Sequence, residues 1–282
     1  HKYKFKDDSN EAGGYLVLKN KKSLLSIDIG AVPDKKFSRD YQAGLLSFEF
    51  SFLGQKVITN SGYFQDYKHQ LNVISKSTAA HSTLVLNNTS STRFERDKNG
   101  YMLANRSFKI LNKEFKKEDK FWFIKVSHDA YSKSNGVIHE RQIKYFNENF
   151  KLEGCDKLIK TKKFKSSSFE IRFHLLPEIN ITKLLNNETI LIESNNSGWK
   201  FTCKNHKIDI ETGLYFGKKN KYLENKNILI AGLTTSEEQN VSYEKRDFCR
   251  TMLFSYRKTT FSIESFIFYT RKHVFLSFFF IE

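Results

Sequence analysis

The chain has 282 residues, room for one large domain or two modest ones, and its 47 Lys and Arg against 31 Asp and Glu give a formal net charge of +16. Its cysteines, Cys155, Cys203 and Cys249, are odd in number, far apart and without CxxC spacing, which argues against a disulfide framework or a thiolate zinc site. Walker A, GxGxxG, GxSxG and HExxH patterns are absent, and the C-terminal apolar run Val274–Ile281 is too short to cross a bilayer.

The positive balance favours a polyanionic partner: acidic polysaccharide, nucleic acid or anionic lipid. A composition rich in Lys, Asn, Ile and Phe with two prolines is equally what an AT-rich genome imposes on any protein, so the charge alone does not choose.

The chain opens on His1, and no basic stretch followed by an apolar one comes after it. Residues 1–13 are expected to be the edge of a truncated chain. Strand signals then dominate: Tyr15–Leu18, Leu24–Ile29, Leu45–Phe52, Val57–Thr59 and Ser82–Leu86 are short, β-branched or aromatic, and bounded by Gly, Asn, Asp or Lys. In Leu45–Phe52 the apolar Leu46, Phe48 and Phe50 alternate with Ser47, Glu49 and Ser51, a period of two that buries one strand face and wets the other. Asp34–Tyr41 reads as a short helical or irregular loop. Further strands are expected at Phe121–Val126, Ile138–Tyr145, Lys157–Ile159, Ser168–Leu175, Thr189–Glu193, Lys200–Lys204, Lys207–Glu211 and Ile228–Thr234. Tight turns are expected at Asn99–Gly100, Asn135–Gly136 and Ser197–Gly198. Turn signals about every 8–12 residues and the lack of a long amphipathic helix predict an all-β fold, a large antiparallel β-sandwich over residues 14–236. Residues 237–282 change style. From Tyr243 on, dense Phe mixes with Lys and Arg without turn residues, which reads as a read-through tail or an edge strand.

His81 stands among small residues in Thr78–Leu84, at the mouth of a strand, where small neighbours let other groups approach an imidazole; a strand-end histidine bonded to backbone accounts for it as well. His128, His139 and His174 recur at strand positions. His139 and Arg141 are two apart and share a strand face, so together they are candidates to meet a carboxylate ligand. Tyr63 and Tyr67 follow Ser61–Gly62 in a loop, as candidates to stack on a sugar ring or simply to pack. Basic and aromatic residues mix in Phe121–Lys125 and Phe164–Phe173, but ordinary sandwich strands explain them, and no nucleic-acid partner is expected.

Ala43–Gly62 reads AGLLSFEFSFLGQKVITNSG, and Thr78–Ser91 reads TAAHSTLVLNNTSS. With SHDAY at Ser127–Tyr131, IHERQIKY at Ile138–Tyr145, EGCD at Glu153–Asp156, RFHLLPE at Arg172–Glu178 and SGWKF at Ser197–Phe201, these resemble the heparinase II/III-like family of polysaccharide lyases. The resemblance spans about Gly14 to Ser236 and implies the family's C-terminal β-sandwich domain. It implies β-eliminative cleavage of an acidic, uronate-containing polysaccharide, a setting in the periplasm or cell envelope, and an N-terminal α/α toroid as partner domain. It places the family's active-site histidine at Asp40 and its metal ligands at Gln42, Asn60 and His81, where this chain keeps only the last histidine. That implies a catalytic contribution from His81 and Asp40. The zinc set is degenerate, with two neutral amides beside one imidazole, so no metal or other cofactor is expected, and the three side chains are expected to hydrogen-bond one another. The alternative is a non-catalytic sandwich that binds acidic glycan or only packs against a partner domain.

Overall fold

The computed structural model describes residues 10–105, 108–194, 197–219, 221–234 and 239–247, with two short strands at Tyr269–Thr270 and His273–Val274. The fold is an all-β sandwich. One layer begins with the antiparallel ladder β1 (Glu11–Ala12), β2 (Tyr15–Lys19), β3 (Ser23–Asp28), β4 (Phe48–Phe52) and β5 (Gln55–Ile58). The predicted alternation in β4 is realised, with Phe48, Phe50 and Phe52 buried and Glu49 and Ser51 half-exposed. A helix not anticipated from the sequence, α1 (Gln70–Lys76), follows. His69 caps it, accepting the Leu71 N–H at Nδ1 over 3.1 Å. A single 3-10 turn at Thr78–Ala80 then leads to β6 (Leu84–Leu86), and β7 (Phe94–Arg96) and β8 (Met102–Ala104) form a small separate hairpin.

The second half supplies β9 (Ile110–Lys117), β10 (Phe121–His128), the helical turn α2 (Ser132–Asn135), β11 (Val137–Phe146), β12 (Lys151–Lys160), β13 (Ser168–His174), β14 (Asn180–Lys183), β15 (Thr189–Ser194), β16 (Ser197–Thr202), β17 (Ile208–Lys218), β18 (Lys221–Leu233) and β19 (Gln239–Asp247). Eight of the strands form the opposite layer in the order β14-β15-β16-β19-β12-β11-β10-β9, and β17-β18-β13-β6 form a four-stranded sheet. A bridge between Thr59 and His174 joins that sheet to the end of β5.

Aromatic rings lock the layers together. Phe50 meets Tyr145 and Trp199 at 5.2 and 5.7 Å between centroids, and Phe173 meets Phe201 and Tyr243 at 5.0 and 4.7 Å. Such pairs add to the apolar area buried.

Four sequence expectations change. Asn135–Gly136 closes the helical turn α2, with Gly136 in the left-handed region at φ 67°, and Ser197–Gly198 lies inside β16. Lys157–Ile159 is only the end of the ten-residue β12, whose Glu-Gly-Cys-Asp stretch hid its strand character. The sheet also does not stop at Ser236: β19 lies between β16 and β12, and its Val241 and Tyr243 are core residues, because the layer needs a strand there to cover Phe173 and Phe201. Apart from the two short strands, the atypical tail from residue 248 on lies outside the described residues.

Candidate functional site

Loops 38–44 and 59–67 and the segment 77–82 meet at one end of the sandwich, stitched by backbone. Ala43 N–H donates to Lys76 O and Ser61 N–H to Ala80 O, both at 2.9 Å, and the Thr78 hydroxyl donates to Ala43 O at 2.8 Å. His81 sits in this seam, 5 % exposed. Its Nδ1 donates to the Ser77 carbonyl at 2.8 Å, and burial pushes its pKa down to about 4, so the ring is neutral at pH 7. A neutral ring protonated at Nδ1 carries a lone pair on Nε2. The Gln42 side-chain Oε1 is placed 3.2 Å from Nε2, and exchanging the amide's oxygen and nitrogen, which look alike in shape, lets its NH2 donate to that lone pair. Gly44 makes room: a Cβ there would stand 2.7 Å from His81 Cδ2.

Asn60, the third residue of the degenerate set, turns elsewhere. Its Oδ1 accepts the Ser82 N–H at 2.8 Å. The expected mutual bonding thus holds between Gln42 and His81, while Asn60 fixes the backbone after His81. One imidazole lone pair and two neutral amides, both already engaged in hydrogen bonds, make a donor set that does not fit zinc.

Asp40 is exposed on the turn before Gln42. It lies beside Tyr63, whose phenol is pushed up by burial and further by the Asp40 charge. Beneath them lies Lys76, which the sequence reading missed. It is 1 % exposed and donates to the carbonyls of Arg39, Tyr41 and Met102, the last two at 3.1 and 3.4 Å. Burial lowers its pKa to about 8, against the opposing pull of Asp40. Its signal was faint, because no helix was expected at Gln70–Lys76 and a lysine is ordinarily solvated. Tyr67 packs on Tyr101 with centroids 4.2 Å apart.

His139 and Arg141 do meet a carboxylate, but it belongs to Asp156. Both are fully buried, so neither reaches an external sugar, and the expectation that they bind substrate is corrected. Asp156 accepts from Arg141 Nε and Nη2, each at 2.8 Å, and from His139 Nε2 at 2.5 Å. The Arg141 guanidinium holds the Asp156 carboxyl down to about 2 against the upward push of burial. The chain of bonds runs on: His128 Nδ1 accepts the Ala130 N–H, so its Nε2 donates to His139 Nδ1, both at 3.1 Å. His174 is likewise internal, between the Ser61 hydroxyl at 3.1 Å and the Ala79 carbonyl at 3.0 Å. The two-residue spacing showed the shared face of His139 and Arg141, but whether that face was wet or dry depended on layers that only the tertiary fold assembles.

The sequence pattern of the family described as heparinase II/III-like, C-terminal, matches residues 6–244. Among solved structures, heparan sulfate lyase HepC from Pedobacter heparinus superposes with a TM-score of 0.66 at 13% identity, over 83% of this chain and 35% of its own. A heparinase III structure gives 0.61 at 16% identity, over 83% and 35%. At such identities the likeness is one of fold, and the chain spans about a third of the length of these proteins. No curated protein matches the chain.

Proposed function

As the chain belongs to the heparinase II/III-like, C-terminal family, we propose that it serves as the β-sandwich of a polysaccharide lyase, contributing one wall of the cleft that cleaves an acidic, uronate-containing glycan by β-elimination. The single observation that carries the reading is the family match over residues 6–244. The seam of loops around Asp40, Tyr63 and His81, at the positions where the resemblance puts the active-site wall, supports it. In such a reaction a group neutralises the sugar carboxylate, a base removes the proton beside it, and an acid protonates the leaving oxygen. Asp40 and Tyr63 line the wall. His81 orients Gln42 and the 41–44 bend rather than touching sugar. The remaining proton-transfer groups come from a helical toroid domain, the proposed partner. No step runs through a metal.

The test is to supply the helical domain of a family member in cis and follow unsaturated uronate by its ultraviolet absorbance on heparin, heparan sulfate and alginate. Product that depends on both halves supports the reading; an inactive fusion on every acidic glycan refutes it.

One observation favours a second reading. Amides at Gln42 and Asn60, together with a buried His81, leave this end well built for packing and poor in reactive groups, as a non-catalytic glycan-binding module requires.

A further inference from the structure

Beside the seam, three side chains from three different segments converge. The Arg39 guanidinium carbon lies 4.1 Å from the Tyr101 ring centroid and 5.9 Å from that of Tyr67, and the two rings are 4.2 Å apart at a tilt of 37°. We propose that Arg39, Tyr67 and Tyr101 form a subsite for an anionic sugar residue, held in place by the buried Lys76 ammonium. The proposal deepens the lyase reading and rests on it for the identity of the ligand.

The subsite is built from below. Lys76 donates to the carbonyl of Arg39 itself, to that of Tyr41, and to that of Met102, the neighbour of Tyr101. Burying an ammonium costs free energy unless its donors are satisfied, and here three peptide oxygens satisfy it. One cation thereby fixes the spacing between the backbone that carries Arg39 and the strand that begins after Tyr101. The hairpin tip is fixed separately: the Asp97 carboxylate accepts the N–H groups of Asn99 and Tyr101 at 2.9 and 2.8 Å, and Arg96 donates to Gly100 O at 2.8 Å. The turn carrying Tyr67 is fixed by Asp66, which accepts the Lys68 N–H at 3.0 Å.

The free donors point to an anion. Of the carboxylates around the site, Asp66 and Asp97 accept backbone N–H groups, and the exposed Asp40 follows Arg39 directly and lies beside Tyr63. Lys68 lies 5.8 Å from the Tyr67 centroid, adding a second cation, and among the described residues Arg39 has no carboxylate within ion-pair distance. A guanidinium held over an aromatic ring keeps its in-plane N–H groups for bidentate binding of a carboxylate or sulfate. The half-exposed tyrosines offer an apolar surface for the C–H face of the same sugar. The two rings lean against each other at 37° instead of standing apart as a slot for bases, which favours a saccharide over single-stranded nucleic acid.

The experiment measures binding of uronate-containing tetrasaccharides, with and without sulfate, to the full chain by calorimetry at low salt. Arg39→Lys keeps the charge but loses the planar fork, and is expected to weaken binding about tenfold, as is Tyr101→Ala. Lys116→Ala, which removes a whole positive charge from the edge strand β9, is expected to leave affinity unchanged. Lys76→Met should weaken binding too, and the two surface variants decide the matter if that protein does not fold. Unchanged affinity in Arg39→Lys and Tyr101→Ala overturns the subsite and leaves the lyase reading standing. An inactive fusion with Arg39-dependent tetrasaccharide binding does the reverse. Failure of the wild-type chain to bind any tetrasaccharide, or equal binding of a single-stranded oligonucleotide through Arg39, overturns the sugar assignment.

Discussion

Arg141 donates from Nη1 to the carbonyl oxygen of Ser82 at 2.7 Å, joining the eight-stranded sheet to the residue that follows His81. The same nitrogen reaches Leu46 O at 2.8 Å, where the chain bends through a positive φ of 59°. Asp156 neutralises the cation from the neighbouring strand at matching register, Arg141 opposite Asp156. The bend at Leu46, just after loop 38–44, and the chain at Ser82, just after His81, are thus tied to an ion pair in the sandwich interior.

Removing the anion alone should be costly. Asp156→Ala leaves Arg141 buried and unpaired, and a loss of about 3–5 kcal/mol is expected in urea denaturation. Replacing both partners, Arg141→Met with Asp156→Ala, should cost less than the single change. A single variant as stable as the wild type would show that water reaches the pair.

Acid should destabilise the fold. Burial lowers His81 from 6.5 to about 4 and His174 from 6.5 to about 3, and His128 and His139 are lowered too. The unfolded chain therefore takes up protons that the folded chain refuses, so the stability these groups carry is full above 6.5 and is lost as pH falls towards the folded values. Asp28 works the other way. Burial raises it from 3.8 to about 6, and its contribution is lost as pH rises across that interval. Four histidines outweigh one carboxyl. The urea midpoint should be lower at about pH 5 than at about pH 7.5, and an equal or higher midpoint would contradict the assignment of neutral buried imidazoles.

Lys245 offers the opposite test. It is fully buried, its ammonium has no hydrogen-bond partner among the described residues, and it stands 4.9 Å from the Trp199 ring centroid. Burial pushes its pKa well below the usual lysine range. Lys245→Met keeps the length and removes the desolvated amine, so a gain of about 1–3 kcal/mol is expected. A loss of stability on substitution would mean that the ring and the amine attract each other by more than the burial costs.

The sandwich was legible because period-two alternation and turn residues are local signals. Phe48, Phe50 and Phe52 announce a half-buried strand without reference to anything distant. The site was less so. His81 was found through a resemblance, and its partner Gln42 with it, but Lys76 and Asp156 were not, since a charged residue signals solvent until the tertiary fold encloses it. His139 and Arg141 show the same limit from the other side: spacing gave their common face, and the packing of two sheets decided what that face meets.

The metal question follows from side-chain chemistry. We predict that the wild-type chain holds no stoichiometric zinc, because Gln42 and Asn60 offer neutral amides. Restoring an imidazole and a carboxylate with Gln42→His and Asn60→Asp should create zinc uptake measurable against a chromophoric chelator, since His81 already presents Nε2 towards residue 42. One tightly held zinc in the wild type, lost on His81→Ala, would disprove the first statement.

Activity separates the roles of the two candidate catalytic positions. The chain alone is expected to form no unsaturated uronate on heparin, heparan sulfate or alginate, because the reading assigns the missing proton-transfer groups to the helical partner. In the fusion, Asp40 and His81 should respond differently. Asp40 is exposed, so Asp40→Ala should lower turnover while leaving the unfolding free energy from urea denaturation within about 0.5 kcal/mol of the parent. His81 is buried and bonded to Ser77 and Gln42, so His81→Ala should lower stability and turnover together. Asp40→Ala with full turnover would remove Asp40 from the wall, and His81→Ala with normal stability and abolished turnover would return His81 to direct chemistry. Turnover by the unfused chain would show that the sandwich carries the proton-transfer groups itself, and would direct attention to Tyr63 beside Asp40 as the first side chain to substitute.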